Sequence, residues 1–192
     1  MRIAFCVLLS MGIWATLDAQ EKGLPITISY FSPFGNHFGA RVGTSTDIMQ
    51  WEKASKRGVS PLRNLHLKTQ LGCFARPDVS QNYLVNTEIG IRRSASGRKS
   101  YLAYSMGLGY LLSSEVVGGS VNLGTGKFDK EREASSFLLP TFNIELGSNK
   151  EKPLTFFYRL FYGRKIAFSG ENSAFFGLEV GLRFVFINKT KP

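Results

Sequence analysis

His37 and His66 are the two histidines of the 192-residue chain, and histidine is the side chain best suited to moving a proton near neutral pH. Beside a serine and a carboxylate, either could serve the acyl-transfer or deacylation chemistry of a small lipid-modifying enzyme. The spacing supplies no triad. His37 follows the turn sequence Pro33-Phe34-Gly35-Asn36, His66 stands two residues before Lys68, and no catalytic motif surrounds either. Both are expected to be hydrogen-bonded structural histidines, and no catalytic residue is assigned. Two isolated histidines and Cys73 do not make a metal-ligand cluster, so neither a metal nor a cofactor is expected. Gly118-Gly119 and Gly124-Thr125-Gly126 lack the Lys-Ser/Thr helix start of a phosphate-cradling loop and read as loop flexibility.

A different chemistry is suggested by charges that recur at alternate positions: Arg41, Lys68, Glu88, Arg92, Glu145, Arg159, Glu179 and Arg183. Three glutamates against five cations, gathered in one narrow interior, would form an interdigitated ion network, because an unpaired charge there is costly. The basic excess leaves open a small anion-preferring pore.

The elements that would carry these charges are strands. Eight segments alternate in character with period two, near residues 25–33, 36–44, 62–75, 81–93, 99–112, 136–147, 153–165 and 174–187. Turn residues divide them, as in Arg76-Pro77-Asp78, Ser94 to Gly97, Ser148-Asn149-Lys150 and Ser169-Gly170-Glu171-Asn172. Short links between successive strands imply an antiparallel meander. Two connections are longer. In 44–61, Asp47 could cap a short helix over Ile48 to Lys56, either at a membrane interface through Ile48, Met49 and Trp51 or as a solvated turn. The second, 113–135, reads as a charged loop that is either merely solvated or in contact with a ligand.

One face of the eight segments holds thirty-eight positions without a charge, running from Ile26, Ile28 and Tyr30 to Leu182, Phe184 and Phe186. The other holds the eight charges, both histidines, Gln70, Asn86, Asn143 and ten of the twenty glycines. A soluble secreted carrier barrel would turn the apolar face inward; a membrane barrel would turn it outward. An eight-stranded barrel has an interior barely wide enough for its own side chains. Thirty-eight mostly large residues would overfill it, so the apolar face is expected to meet lipid around a polar, glycine-rich lumen. Closure also satisfies the edge strands, as hydrocarbon surroundings demand.

Export fits this reading. Residues 1–19 combine Arg2, an apolar run from Ile3 and a small residue, Ala19, before Gln20, which reads as a signal peptide; an uncleaved anchor is the alternative. Residues 20–192 then form one domain. Only Cys73 follows the signal, so no internal disulfide forms in the mature chain. The net charge of +10 favours anionic partners. Nucleic acid is not expected, because no strand offers an exposed basic and aromatic surface once the apolar face is committed to lipid.

Over roughly residues 25–187 the pattern resembles the small eight-stranded outer-membrane barrels of Gram-negative bacteria, the OmpA- and OmpX-like group. The last strand carries the most specific part: Gly177, Leu178, Val180, Phe184 and Phe186 are similar to the aromatic-ended terminal strand recognised by the barrel-assembly machinery, although Ile187 to Pro192 extend past the last aromatic. The resemblance implies residence in the cell outer membrane, contact with its lipid, and both termini in the periplasm. It then places 113–135 outside and 44–61 inside. The inner edge would hold eleven Lys and Arg, among them Arg63, Arg93 and Lys99, against Asp47, Glu52 and Glu151. Such a rim suits phospholipid headgroups or an acidic periplasmic partner; inverted, it would face an acidic cell-surface partner or lipopolysaccharide phosphates. A structural or interaction barrel is the first functional expectation, followed by an anion-preferring pore and a lipid-modifying enzyme.

Overall fold

The structure is a computed structural model that describes residues 25–33, 37–52, 61–95, 99–122, 127–148, 153–167 and 172–185. The expected signal peptide, the turn residues Phe34 to Asn36 and Phe186 lie outside the described residues. Eight antiparallel strands close into one barrel in sequence order: β1 (Pro25–Pro33), β2 (Phe38–Glu52), β3 (Pro61–Arg76), β4 (Ser80–Ala95), β5 (Ser100–Asn122), β6 (Lys127–Ser148), β7 (Leu154–Ala167) and β8 (Asn172–Val185). Closure runs from Pro25↔Val185 to Pro33↔Gly177, leaving no free edge along β1 or β8 over that span.

Alternation decides the faces. None of the described positions on the uncharged face is buried, and Phe38, Met106, Phe156 and Tyr158 are each at least 60% exposed. Cys73 also points outward. The opposite face is packed. The described part of the uncharged face therefore points outward, the reverse of what a carrier barrel would need.

Three features depart from the sequence reading. Residues 48–52 are not helical: β2 continues through them, with a bulge between Asp47 and Met49 that leaves Ile48 out of the pairing. Lys53 to Lys56 fall outside the described residues. Residues 113–122 and 127–135 are strand and not loop, because β5 reaches Asn122, β6 begins at Lys127, and the two pair along their length across a second bulge between Val116 and Gly118; residues 123–126 lie outside the described residues. Past Glu115 on β5 and Phe137 on β6 this hairpin has no further strand partner in the register. It stands clear of the barrel, held at its base by the Val116 amide donating to the Val79 carbonyl at 2.8 Å and by a contact between Lys130 and Asp78. Asp78 turns the β3–β4 corner at φ 61°, a region aspartate tolerates.

The third departure is in the lumen, which is not polar throughout. Phe31, Phe74, Leu84, Leu111, Leu139, Phe161 and Phe175 form a buried apolar cluster towards the end that carries this hairpin. Its rings interlock, with centroids 4.5 Å apart for Phe31–Phe161 and 5.3 Å for Phe161–Phe175. Glycine makes room: a Cβ at Gly177 would stand 2.5 Å from Phe161 Cζ, and one at Gly181 would stand 2.5 Å from Phe157 Cζ. Each ring lies on the glycine directly opposite it on the next strand.

Candidate functional site

Arg159, on the lumen face of β7, lies between β6 and β8, with Glu145 and Glu179 as its cross-strand partners. The register therefore sets a carboxylate on each side of the guanidinium. Its Nη2 meets Glu145 Oε2 at 2.5 Å, and Nε donates to the same oxygen at 3.1 Å. Nη1 reaches Gln70 Oε1 at 2.7 Å, Glu88 Oε1 at 3.2 Å and Glu179 Oε2 at 3.5 Å.

The remaining cations attach around this centre. Lys68 Nζ meets Glu145 Oε2 at 3.1 Å, Arg183 Nη2 meets Glu145 Oε1 at 2.7 Å, and Arg41 Nη1 meets Glu179 Oε2 at 3.1 Å. Neutral donors complete the carboxylates: Tyr101 Oη donates to Glu145 at 2.5 Å, Ser29 Oγ to Glu179 at 2.6 Å, Ser105 Oγ to Glu88 at 2.9 Å and Asn86 Nδ2 to Glu88 at 2.8 Å. The contributors come from all eight strands. Arg159, Lys68, Glu88 and Glu179 are each at most 2% exposed, so their desolvation is offset only by this mutual pairing.

Seven of the eight charges singled out in the sequence therefore meet in one cluster. Arg92 does not join it. It pairs at 3.6 Å with Asp47 at the rim, with its guanidinium 5.0 Å from the Tyr101 ring. Four cations against three glutamates leave the cluster one positive charge in excess. Arg41 lies at its upper boundary, where its guanidinium carbon stands 3.4 Å from the Phe31 ring centroid. Ionic and aromatic layers thus meet face to face, in a cation–π contact.

The two histidines do not form a site. His66 is buried beside Gly90 near the Asp47 rim. His37 adjoins Phe38, whose partner Ala75 lies nine residues along β3 from His66, so about 30 Å of strand separates them. His37 packs edge-on against Phe74 with centroids 5.9 Å apart, and its carbonyl accepts from Ser32 Oγ at 2.9 Å. Burial, then the Lys165 and Arg76 charges, push its imidazole below the ordinary range. Among the described residues no three His, Cys, Asp or Glu side chains are grouped so as to hold a metal ion.

On the terminal strand, Leu178 and Val180 are exposed to the outside, Phe184 is half-buried on the same face, and Gly177 lies opposite Phe161. The aromatic layer went unnoticed in the sequence because its phenylalanines stand next to outward-facing apolar residues, as in Tyr30-Phe31, Leu160-Phe161 and Phe175-Phe176. The available signal was a phenylalanine placed, in register, across from a glycine.

No protein-family model matches the chain, and no curated protein matches it in sequence. Among solved structures, the outer membrane enzyme PagL is similar to 84% of this chain over 99% of its own, with a TM-score of 0.55 and 12% identity. A major outer membrane protein from Thermus thermophilus aligns with 85% of this chain and 98% of its own, with a TM-score of 0.48 and 12% identity. The likeness to PagL is one of fold, that of an outer-membrane β-barrel.

Proposed function

We propose that this protein is a small barrel of the cell outer membrane with a structural or interaction role, its lumen plugged by its own side chains. The observation that carries the reading is the Arg159 cluster, whose partners from all eight strands meet on the barrel axis beneath the interlocked Phe31 and Phe161 rings. The unburied apolar exterior supports a lipid surrounding, since no water-facing barrel would hold so many large side chains outward. The OmpA- and OmpX-like resemblance and the export signal fit the same location. Gly177, Leu178, Val180, Phe184 and Phe186 serve as the strand presented to the barrel-assembly machinery. The hairpin of β5 and β6 is the natural contact surface for a partner, because both of its strands extend past their outer neighbours β4 and β7.

An anion-preferring pore draws on the single excess positive charge, but the occupied axis counts against it. The enzyme reading has weak support in the fold likeness to PagL at 12% identity, and histidines at opposite ends of the barrel offer it no shared site.

Fractionation with heat-modifiable gel migration, followed by planar-bilayer recording, tests the proposal. Recovery in the outer-membrane fraction, a folded band that shifts on boiling and an absence of unitary current steps are expected. Recovery as a soluble periplasmic protein would overturn the membrane reading. Stable anion-selective steps would replace the plug with a pore.

A further inference from the structure

At the rim that carries the β2–β3 and β4–β5 connections, two apolar columns end in arginine at the same register step. On the outer face of β3, Leu71, Thr69, Leu67 and Leu65 are followed by Arg63; on β4, Val85, Thr87, Ile89 and Ile91 are followed by Arg93. Arg63 and Arg93 are direct cross-strand partners, so both guanidinium groups leave the same face side by side. Like charges so opposed destabilise a sheet unless an anion lies between them.

No protein anion among the described residues does. Among the described residues neither arginine has an ion-pair partner, and Arg63 Nε is buried without an acceptor. The described acidic residues of this rim point elsewhere: Asp47 is engaged by Arg92 and Asn64, and Glu52 sits opposite Leu62 on the alternate face. Aromatic side chains flank the pair. Trp51 is the cross-strand partner of Arg63, and the Tyr104 ring lies 5.9 Å from the Arg93 guanidinium. Trp and Tyr favour the headgroup level, and guanidinium forks match phosphate oxygens two at a time.

We infer that Arg63 and Arg93, flanked by Trp51 and Tyr104, form a binding site for the phosphate of an anionic phospholipid headgroup in the leaflet at this rim. The site rests on the lipid-facing reading of the barrel and adds to it a specific headgroup chemistry. Apolar columns directly above the arginines receive the acyl chains while the two forks hold the phosphate, so one lipid satisfies both halves of the surface.

Trp51 makes the site observable. In the full chain carrying Trp14→Phe it becomes the single tryptophan. The protein is reconstituted in phosphatidylcholine vesicles doped with equal amounts of brominated phosphatidylglycerol or brominated phosphatidylcholine, and bromine quenching of Trp51 is read. The anionic lipid is expected to associate at least about fivefold more strongly, since one basic side chain at a membrane surface is worth about that factor and the site holds two. Arg63→Gln with Arg93→Gln should bring the ratio to unity, while Arg132→Gln with Arg164→Gln, the same charge loss on exposed residues near the other end, should leave it intact. Heat-modifiable migration verifies folding. If the double variant does not fold, the single variants carry the test, and each should lose part of the preference. A preference that survives in the Arg63 and Arg93 variants, or falls equally in the distant pair, overturns the site. Equal quenching of the parent by both lipids overturns it too, and directs this rim to an acidic periplasmic protein while the membrane reading stands. Quenching by neither lipid overturns both.

Discussion

The half of the lumen around Arg159 and the half around Phe31 are filled by opposite means. In the first, charge occupies the space, and each group is held by partners on other strands at 2.5 to 3.5 Å. In the second, rings fill it without any directional bond. Apolar packing degrades by the volume lost, whereas an ionic cluster fails as a unit when one member goes, because its partners remain buried and uncompensated. The two layers therefore answer differently to similar substitutions, and Arg41 against Phe31 marks the seam between them.

The largest effect is expected from Arg159→Met, which leaves Glu88 and Glu179 short of their shared cation. A loss of about 4 to 5 kcal/mol is expected in urea unfolding from lipid vesicles. A loss below that of the aromatic substitution would reverse the order proposed for the two layers. Phe31→Ala should cost about 3 kcal/mol in the same measurement, and bilayer recordings should stay silent because the ionic layer still closes the axis. Current steps in Phe31→Ala would mean that the rings alone seal the barrel. Next comes a double-mutant cycle of Arg41→Met and Glu179→Gln, expected to return a coupling of about 1 to 2 kcal/mol; additive losses would dissolve the boundary pair.

The smallest effect lies outside the lumen, at Asp78 and Lys130. The hydrogen bond from Lys130, and then its charge, hold the Asp78 carboxyl below its ordinary value of 3.8. A carboxyl with a depressed value contributes above its unfolded value and loses that contribution as pH falls through the folded one. Amide exchange at the base of the β5–β6 hairpin should therefore be slow at neutral pH, quicken only in acid below the ordinary aspartate range, and be fast throughout in Asp78→Asn. Global unfolding should not change.

What the sequence disclosed follows the same division. The outward face could be read position by position, since lipid on one side and a packed lumen on the other impose strict alternation from Ile26 to Phe184. Where strands leave that contrast the signal fades. Residues 116–122 and 127–135 lie past the last partners on β4 and β7 and alternate weakly, and 45–52 mixes Ile48 and Met49 with polar neighbours, so extended chain passed for loop and helix. The charges of the Arg159 cluster stood out by type, but their pairing did not. Arg159 with Glu145 and Glu179 depends on registers that one strand's sequence does not contain, and Arg92 was grouped with the cluster when the Asp47 bulge gives it another partner.

Arg159 belongs to β7, yet its three carboxylates come from β4, β6 and β8, and Glu179 on β8 also needs Ser29 from β1. Strands added one hairpin at a time cannot neutralise this cluster piecemeal. A chain halted before the β1–β8 seam zips shut has lost the hydration of these charges without gaining all their counterparts, so it sits uphill of the finished product. The cluster thereby serves as a proofreading device for assembly, rewarding only the barrel in which every strand has arrived and in the right register.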